Sequence, residues 1–547
     1  MIGDASKRPQ SDAVYKWLLA ILVLQLTVLL ALVDGPSRIV WLRTMALGGS
    51  ASVLAVLLGG IGAAVCLRRG FVPRLLLVTL MALAIMPLVI HVSSWDAAFG
   101  KLGWLTESRG QVLTPLVSGW IAAIWVHGLA ATPQVALIFL ACAWNDRREY
   151  EEQARLETTA FQVFLSITLP RYWPVVGIAV LWVIMTCARE IAVTDLYQIE
   201  TLAEQVYLGY ALNHSTIVGS WSADQLTEAN QLNQWLIVAA LGVQALASMI
   251  LFLAMTQRLG WGQTTSQTGH LGDVQVAGKW TSGIGATLWA VLVVVPLINT
   301  VARASFYVKS IEGIAQPTYD LTRIEFAVRR ACQDYSDEFT WSCLIAITAS
   351  TIILLVMLMV VGFTRRSRWG RLVFSALMAI GFALPGPVIG SSLAWLFSSS
   401  DNAWFHWLTD YTIFGPVVAA GLFCGPICGI LIWLMVDRTS HDVLDGARLD
   451  GANEISTFWE FGVKANRLGL VGVWLIGFTL CFGELAASSM VRPAGMDTVA
   501  RKMLGDLHAG VDELTAGMTI VITLVVVCIS LLGWLFFWLN QAAGVRK

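Results

Sequence analysis

The chain is poor in charge and contains no long polar segment. Of 547 residues only 13% are charged, 57% are hydrophobic, and the net charge is −1. Soluble domains carry about a quarter charged residues, so lipid must surround most of this chain. The near-zero net charge argues against a nucleic-acid partner, which requires a basic surface. The phosphate-binding loop G-x-x-x-x-G-K-[ST] is missing from the sequence, so we expect no nucleotide site of this type and no cofactor in this chain.

Long apolar windows predict about twelve membrane-spanning helices and therefore an all-α polytopic fold. The windows cover 14–33, 44–66, 72–92, 113–142, 172–190, 233–255, 282–302, 339–363, 371–397, 411–436, 469–488 and 515–540. We interpret 14–33 as a retained helix, although a cleaved signal peptide is the alternative, because the run is long enough to span and no small-residue cleavage site follows. Arginine pairs at 68–69, 147–148 and 365–366 fall on one side of alternating spans. This bias predicts an inner-membrane protein with both termini in the cytoplasm.

A long internal repeat divides the chain. Ala154-Arg155-Leu156-Glu157 recurs as Ala447-Arg448-Leu449-Asp450, and Glu190-Ile191-Ala192 recurs as Glu484-Leu485-Ala486. Pro133 and Pro426 have the same spacing within their spans. Features that recur in the same order predict two parallel six-helix repeats, at 1–270 and 271–547.

Each predicted repeat contains one notable cytoplasmic loop, at 144–171 and at 438–468. Both begin with a polar, helix-favouring stretch and continue as an amphipathic one, which predicts two short helices at an angle. Pro170 is expected to end the second of these helices in the first loop before the next span begins. A helix that merely rests on lipid headgroups is the alternative for one loop, but two loops at equivalent positions favour a docking role.

These loops resemble the E-A-A-x-x-x-G-x(9)-I-x-L-P loop of binding-protein-dependent ABC importer permeases. The resemblance implies a type I importer-like permease whose loops contact two ATP-binding cassette ATPase subunits, with ATP and Mg on those partners. It also implies an extracytoplasmic substrate-binding protein. The coupling residues carried over are Glu152, Ala154, Arg155, Leu156, Glu157, Leu169 and Pro170, and then Asp445, Ala447, Arg448, Leu449, Asp450, Gly451 and Ala452. The first copy keeps the closing Ile-x-Leu-Pro and the second keeps the glycine, so we expect unequal ATPase contacts.

A second resemblance concerns the substrate. The segment Gly483–Pro493 is similar to the E-L-x-A-T-x-L-x-R-P segment of iron(III) importer permeases, with thiamine and polyamine permeases as near relatives. Glu190 and Glu484 are therefore candidate pathway carboxylates for a transiently held hard cation. The alternative is local pairing, of Glu190 with Arg189 and of Glu484 with Arg492.

Other polar or kinking residues in the spans have simpler interpretations. We interpret His127 as packing in the core more readily than lining a pathway, and we expect no metal at Cys424 and Cys428, because no third ligand accompanies them. Prolines inside the spans are expected to mark bends; they are Pro133, Pro385, Pro387, Pro416 and Pro426.

Two other classes of protein remain as alternatives. An ion-coupled secondary transporter also uses duplicated six-helix halves, but it would need charged residues in the middle of its spans. A structural membrane protein would have no reason to repeat a docking loop.

Overall fold

The computed structural model describes residues 35–101, 103–108, 115–144, 154, 156, 158–211, 240–250, 253, 278–311, 314–365, 367–436, 446–447 and 449–544. Within them, seven helices are long and apolar enough to cross a membrane, and the number rises to ten if each of three bent helix pairs is one span. The chain is thus an all-α polytopic membrane protein. The predicted span 14–33 lies outside the described residues, and only the helix Ala240–Ile250 describes the predicted span 233–255.

The first part of the chain contains ten helices within the described residues. They are α1 (Gly35–Cys66), α2 (Phe71–Ala84), α3 (Leu88–Phe99), α4 (Trp104–Ser108), α5 (Gly119–Trp144), α6 (Ala160–Val163), α7 (Leu169–Arg189), α8 (Ala192–Leu196), α9 (Leu202–Ala211) and α10 (Ala240–Ile250). A π-helical turn, Phe164–Thr168, joins α6 to α7. The long helices α1, α5 and α7 pack against one another, and α2 packs on α5.

The second part begins with a helix that a π-turn divides. Its described helices are α11 (Lys279–Trp289), α12 (Val295–Ser305), α13 (Thr322–Asp334), α14 (Ser336–Thr364), α15 (Arg368–Ala383), α16 (Gly386–Ser398), α17 (Ala403–Tyr411), α18 (Phe414–Val436), α19 (Glu454–Thr457), α20 (Arg467–Phe482), α21 (Val499–Ala509) and α22 (Asp512–Gly544). π-turns cover Ala290–Val294 and Phe458–Lys464. Here α14 packs against α18 and α20, and α15 packs on α18, which repeats the arrangement of α1, α5, α7 and α2.

One hydrogen bond recurs at matched positions of the two parts. The backbone N–H of Leu202, at the start of α9, donates to the hydroxyl oxygen of Thr44 on α1 at 3.0 Å. The N–H of Val499, at the start of α21, donates in the same way to Ser342 on α14 at 2.9 Å. The first N–H groups of a helix have no partner within that helix, so each hydroxyl satisfies one of them. The short helices α9 and α21 each follow the fifth predicted span of their half. Each is thereby tied to the second predicted span of the same half.

Two of the predicted spans are sharply bent. The helices α2 and α3 meet at 107°, and α15 and α16 meet at 96°. Pro87 and Pro385 stand at the N-caps of α3 and α16 with extended backbone, ψ 138° and ψ 145°. Proline has no N–H to continue a helix and forces the residue before it out of the helical region. The prediction of a bend at Pro385 is confirmed. The prediction of a straight helix over 72–92 is wrong, because Pro87 interrupts that helix in the same way. Pro133 and Pro426, in contrast, lie inside unbroken helices.

The segment between α12 and α14 contains the two strands of the described chain. Strand β1 (Phe306–Ile311) pairs antiparallel with β2 (Ile314–Tyr319), with Phe306 opposite Tyr319. Helix α13 follows and packs on α22, where Arg323 forms an ion pair with Glu513 at 2.9 Å. The hairpin lies between the predicted spans 282–302 and 339–363, where the all-α prediction contains no strand.

The core extends across both parts of the chain. The largest cluster of buried apolar residues includes Leu47 and Ile90 from the first part and Phe374, Ile432 and Met503 from the second. Across the boundary α9 packs on α16, and at the matched position α21 packs on α3. The bent helix of each part is thus covered by a short helix of the other.

Candidate functional site

The first predicted docking loop is described at Ala154, Leu156 and from Thr158 onward. The N–H and the hydroxyl of Thr158 both donate to the carbonyl of Ala154, at 2.9 and 3.0 Å, which closes a helical turn. Leu156, on this turn, is 87% exposed. An exposed apolar side chain beside a hydrogen-bonded turn is a feature that a binding partner would cover.

The amphipathic part of the first loop is continuous with the following span. Thr159 and Gln162 exchange hydrogen bonds at the start of α6, the N–H of each donating to the side chain of the other at 3.2 and 3.4 Å, as in a capping box. The π-turn Phe164–Thr168 then leads directly into α7. Pro170 was predicted to end this helix, and that prediction is wrong. Proline is tolerated near the start of α7 because the wider π-turn before it relaxes the usual hydrogen-bond pattern.

The second loop contains a sharper turn. Asp450 N–H donates to Gly446 O and Ala452 N–H donates to Ala447 O, both at 3.0 Å. Gly451 has φ +83°, a left-handed conformation that side chains other than glycine rarely adopt. Leu449 is 89% exposed on this turn. The Asn453 side chain then caps α19 by accepting from Ser456 N–H at 2.7 Å.

The amphipathic segment of the second loop is angled to its span. Residues Glu454–Lys464 and the helix Arg467–Phe482 meet at 68°. Two short helices at an angle were predicted inside each loop, whereas this bend lies between the second loop and the span that follows it; among the described residues the first loop has no such bend before its span. The residues Glu152, Arg155, Glu157, Asp445 and Arg448 lie outside the described residues.

The predicted docking residues that are described lie on matched surfaces. Leu156 and Leu449 occupy equivalent repeat positions and have nearly the same exposure. Leu169, 36% exposed, and Pro170 lie on the surface at the start of α7. Asp450 and Gly451 are also exposed, whereas Ala154, Ala447 and Ala452 are half-buried.

Sequence reasoning missed the contact that holds the second loop. The Phe458 ring lies under the guanidinium of Arg365, with 4.9 Å from Cζ to the ring centroid, at the end of α14. Gly362 on α14 leaves room for this ring. Arg365 was interpreted only as a cytoplasmic charge, and a pattern within one segment contains no signal of its aromatic partner.

The two candidate pathway carboxylates follow the helices α7 and α20. Glu190 is half-buried, whereas Glu484 is 3% exposed and accepts hydrogen bonds from the N–H groups of Ala487 at 2.6 Å and Ser488 at 2.9 Å. These bonds form a turn, and for this reason α20 ends at Phe482 rather than at the predicted 488. The carboxylates are within electrostatic range of each other and of Arg189.

The alternative pairing of Glu484 with Arg492 is wrong. The Arg492 side chain instead donates to the carbonyl of Met496 at 2.7 Å. His127 is buried, and its Nε2 has no hydrogen-bond partner among the described residues. Cys424 lies within hydrogen-bond range of Cys481, and the described residues contain no group of three potential metal ligands.

A buried acidic pair near α9 was not predicted. Glu204 is 3% exposed and lies beside Asp195 and Thr194, whose hydroxyl is 3.4 Å from Glu204 Oε2. Burial, reinforced by the nearby charge of Asp195, raises the pKa of Glu204 to about 8. The His508 ring, which belongs to the second part of the chain, lies 3.8 Å from the Asp195 carboxylate.

Comparison with known proteins shows that part of the chain is similar to transport proteins. Residues 353–544, about a third of the chain, match the model described as binding-protein-dependent transport system inner membrane component. The putrescine transport system permease protein PotI of Escherichia coli K12 is 23% identical over 175 residues, which cover 32% of this chain and 60% of that protein. PotI of Escherichia coli O6:H1 matches to the same extent. The chain thus spans about 60% of the length of these curated relatives.

The matched region runs from the middle of α14 to the end of α22 and includes the second docking loop. Residues 353–544 are therefore similar to the inner-membrane component of binding-protein-dependent transport systems.

Proposed function

We propose that this chain supplies both membrane-spanning permease halves of an ATP-driven importer on one polypeptide. The observation that carries the proposal is the pair of leucines, Leu156 and Leu449, each almost fully exposed on an ordered turn. A fully buried leucine side chain contributes about 1.5–3 kcal/mol, so two isolated exposed leucines are well suited to fill clefts of two partner subunits.

The proposal of two halves is supported by matched details. The packing of α1, α2, α5 and α7 recurs in α14, α15, α18 and α20, and the hydroxyls of Thr44 and Ser342 make the same hydrogen bond. Parallel repeats of this kind present equivalent loops to the same side of a membrane. Each half would then bind one ATPase subunit at the cytoplasmic face.

The two loops would transmit ATPase motion in different ways. In the first, α6, the π-turn and α7 form one continuous helix, so a displacement of α6 would move the whole span. In the second, the 68° bend before α20 allows the docking helix to pivot, while the contact between Arg365 and Phe458 couples it to α14 as well. Closing of an ATPase dimer would rock the halves and open a path between them.

We propose a cationic substrate delivered by an extracytoplasmic binding protein. The segment Gly483–Pro493 favours iron(III), and the similarity to a putrescine permease favours a polyamine as the second candidate. Glu190, which is half-buried beside the more deeply buried Glu484, is the group available to attract a cation on the path. Both termini are then cytoplasmic and both ATPase subunits lie on that side.

The docking proposal is tested by co-purifying the chain with its ATPase subunits. We expect Leu156→Glu combined with Leu449→Glu to abolish ATPase association while leaving thermal stability unchanged, because both side chains are exposed. Leu321→Glu is the matched control, since Leu321 is 73% exposed but lies before α13, far along the chain from both loops. Full ATPase association of the double variant would overturn the proposal.

The substrate is tested by uptake into cells or proteoliposomes that contain the assembled transporter. Uptake of iron(III) and of putrescine is measured with and without ATP, and again with Glu190→Gln. Loss of uptake of one substrate in this variant, at normal ATPase association, supports the carboxylate role. Uptake that follows an ion gradient without ATP would instead establish a secondary transporter.

A further inference from the structure

The helices α7 and α20 reach across to the opposite half in matching ways. The end of α7 contacts α15 near the bend at Pro385, and the end of α20 contacts the bend at Pro87. The two contacts are equivalent in the repeat, since α7 corresponds to α20 and the α15–α16 bend corresponds to the α2–α3 bend. Their side chains, however, differ completely.

Arg189 fills the contact made by α7. It is 3% exposed, and its guanidinium lies over two rings of the other half, with Cζ 4.1 Å from the Phe423 centroid and 4.7 Å from that of Phe382. Its Nη2 donates to the Phe423 carbonyl at 2.7 Å. Trp182, two turns earlier on α7, stacks on Phe382 with centroids 4.8 Å apart. Two side chains of α7 thus hold one ring of α15 between them.

The matching contact of α20 has none of these groups. The position equivalent to Arg189 is Gly483, and the positions equivalent to Phe382 and Phe423 are Ala84 and Ala130. Gly483 lies directly against the ring of Pro87, where an added Cβ would come within 2.5 Å. Between Gly483 and Pro87 this contact consists of small apolar groups in van der Waals contact.

We infer that Arg189 is a positioning residue that makes the two halves part unequally. Separating α7 from α15 and α18 would remove a buried guanidinium from two ring faces and from a carbonyl. Separating α20 from Pro87 breaks only dispersion contacts. The halves therefore open on the side of Gly483 and Pro87, while the side of Arg189, Phe382 and Phe423 stays closed as the hinge. The inference uses the proposed function only in taking separation of the halves as the transport movement.

Hydrogen–deuterium exchange of the full-length chain in lipid nanodiscs tests this inference without ATPase or substrate. The measurement compares peptides that cover 380–386, on the Arg189 side, with peptides that cover 82–88, on the Gly483 side. We expect the Arg189 side to exchange about tenfold more slowly. The free-energy difference that this factor represents is a modest fraction of the stabilisation that a charge-assisted hydrogen bond and two cation–π contacts provide. In Arg189→Met its exchange should rise about tenfold, while exchange at 82–88 stays the same.

A second variant guards against misfolding of the first. Phe382→Leu combined with Phe423→Leu keeps apolar side chains in place but removes the ring faces, and it should reproduce Arg189→Met. Arg189→Lys keeps a cation over the rings and should restore most of the protection. Phe478→Leu removes a ring that stacks within α20 and is the control that should change neither side.

Equal exchange of the two sides in the wild-type chain would overturn the inference. So would equal acceleration of both sides in the Arg189→Met and double-leucine variants, because that result indicates a general loss of packing. Loss of ATPase docking in the Leu156 and Leu449 variants leaves this measurement untouched, so the two proposals fail separately.

Discussion

The buried carboxyl of Glu204 should make the stability of the protein fall as pH rises. Its pKa is raised from 4.5 to about 8, first by burial and then by the charge of Asp195. The folded chain therefore holds a proton between these two values that the unfolded chain releases. The resulting stability is complete below about pH 4.5 and is lost as the pH rises through about 8.

The size of this effect follows from one proton. Between the two pKa values the free energy of unfolding falls by about 1.4 kcal/mol per pH unit, or about 2–3 kcal/mol from pH 6 to pH 8. Glu204→Gln carries no titrating proton but keeps a group that can accept from Thr194. We therefore expect this variant to gain about that much on the wild type between pH 6 and pH 8.

Thermal unfolding in detergent, followed by tryptophan fluorescence, measures this difference, and the 24 tryptophans provide a strong signal. Glu200→Gln is the matched control, since Glu200 pairs with Arg43 on the surface and its side chain is 65% exposed. Asp195→Asn should weaken the pH dependence without removing it, because burial is the larger cause. Parallel pH profiles of the wild type and Glu204→Gln would refute the reasoning.

Three further outcomes follow from local geometry. Thr44→Ala and Ser342→Ala should each destabilise the chain by about 1 kcal/mol, because each hydroxyl accepts a hydrogen bond from the first turn of a different helix. The double variant should lose about the sum. Unequal losses of the two single variants in thermal unfolding would contradict their equivalence. Gly451→Ala should strain the second docking turn by about 1–2 kcal/mol and weaken ATPase association, whereas Gly446→Ala, with open space around it and no positive φ, should leave it intact. Gly483→Ala should destabilise by about 1–3 kcal/mol through overlap with Pro87, and Gly472→Ala, whose Cβ meets nothing within 4 Å, is its control in the same unfolding assay.

Prolines show how far the spans could be predicted from sequence. Pro385 breaks its span as predicted, and Pro87 breaks another that was predicted to be straight, although both carry the same local signal. Pro170 was expected to end a helix and does not, because a π-turn precedes it. A proline therefore marks a position where the hydrogen-bond pattern must change. Whether the helix bends or widens there depends on the packing around it.

The turns around Leu156 and Leu449 carry local signals in the sequence, although the sequence analysis predicted short helices there. The left-handed Gly451 and the repeated leucines lie within one short segment each, and their exposure follows from charged neighbours. Arg189 is different. It was read beside Glu190 in the sequence, but its ring and carbonyl partners lie more than 190 residues away, on helices whose own patterns indicate only apolar burial. Contacts of this type depend on how the halves meet, which no single segment encodes.

On the proposed function, the unequal contacts at Arg189 and Gly483 bear on why two permease halves would share one polypeptide. In a transporter assembled from two copies of one chain, every substitution appears at both symmetry-related places, so an arginine that suits one side would also collide with proline on the other. Here Gly483 has no room even for a Cβ atom beside Pro87. Joining the two proposed halves in one polypeptide would release each position from its counterpart, so that a fixed hinge and a movable contact could be selected independently. Covalent linkage would also ensure that every assembled transporter contains one of each.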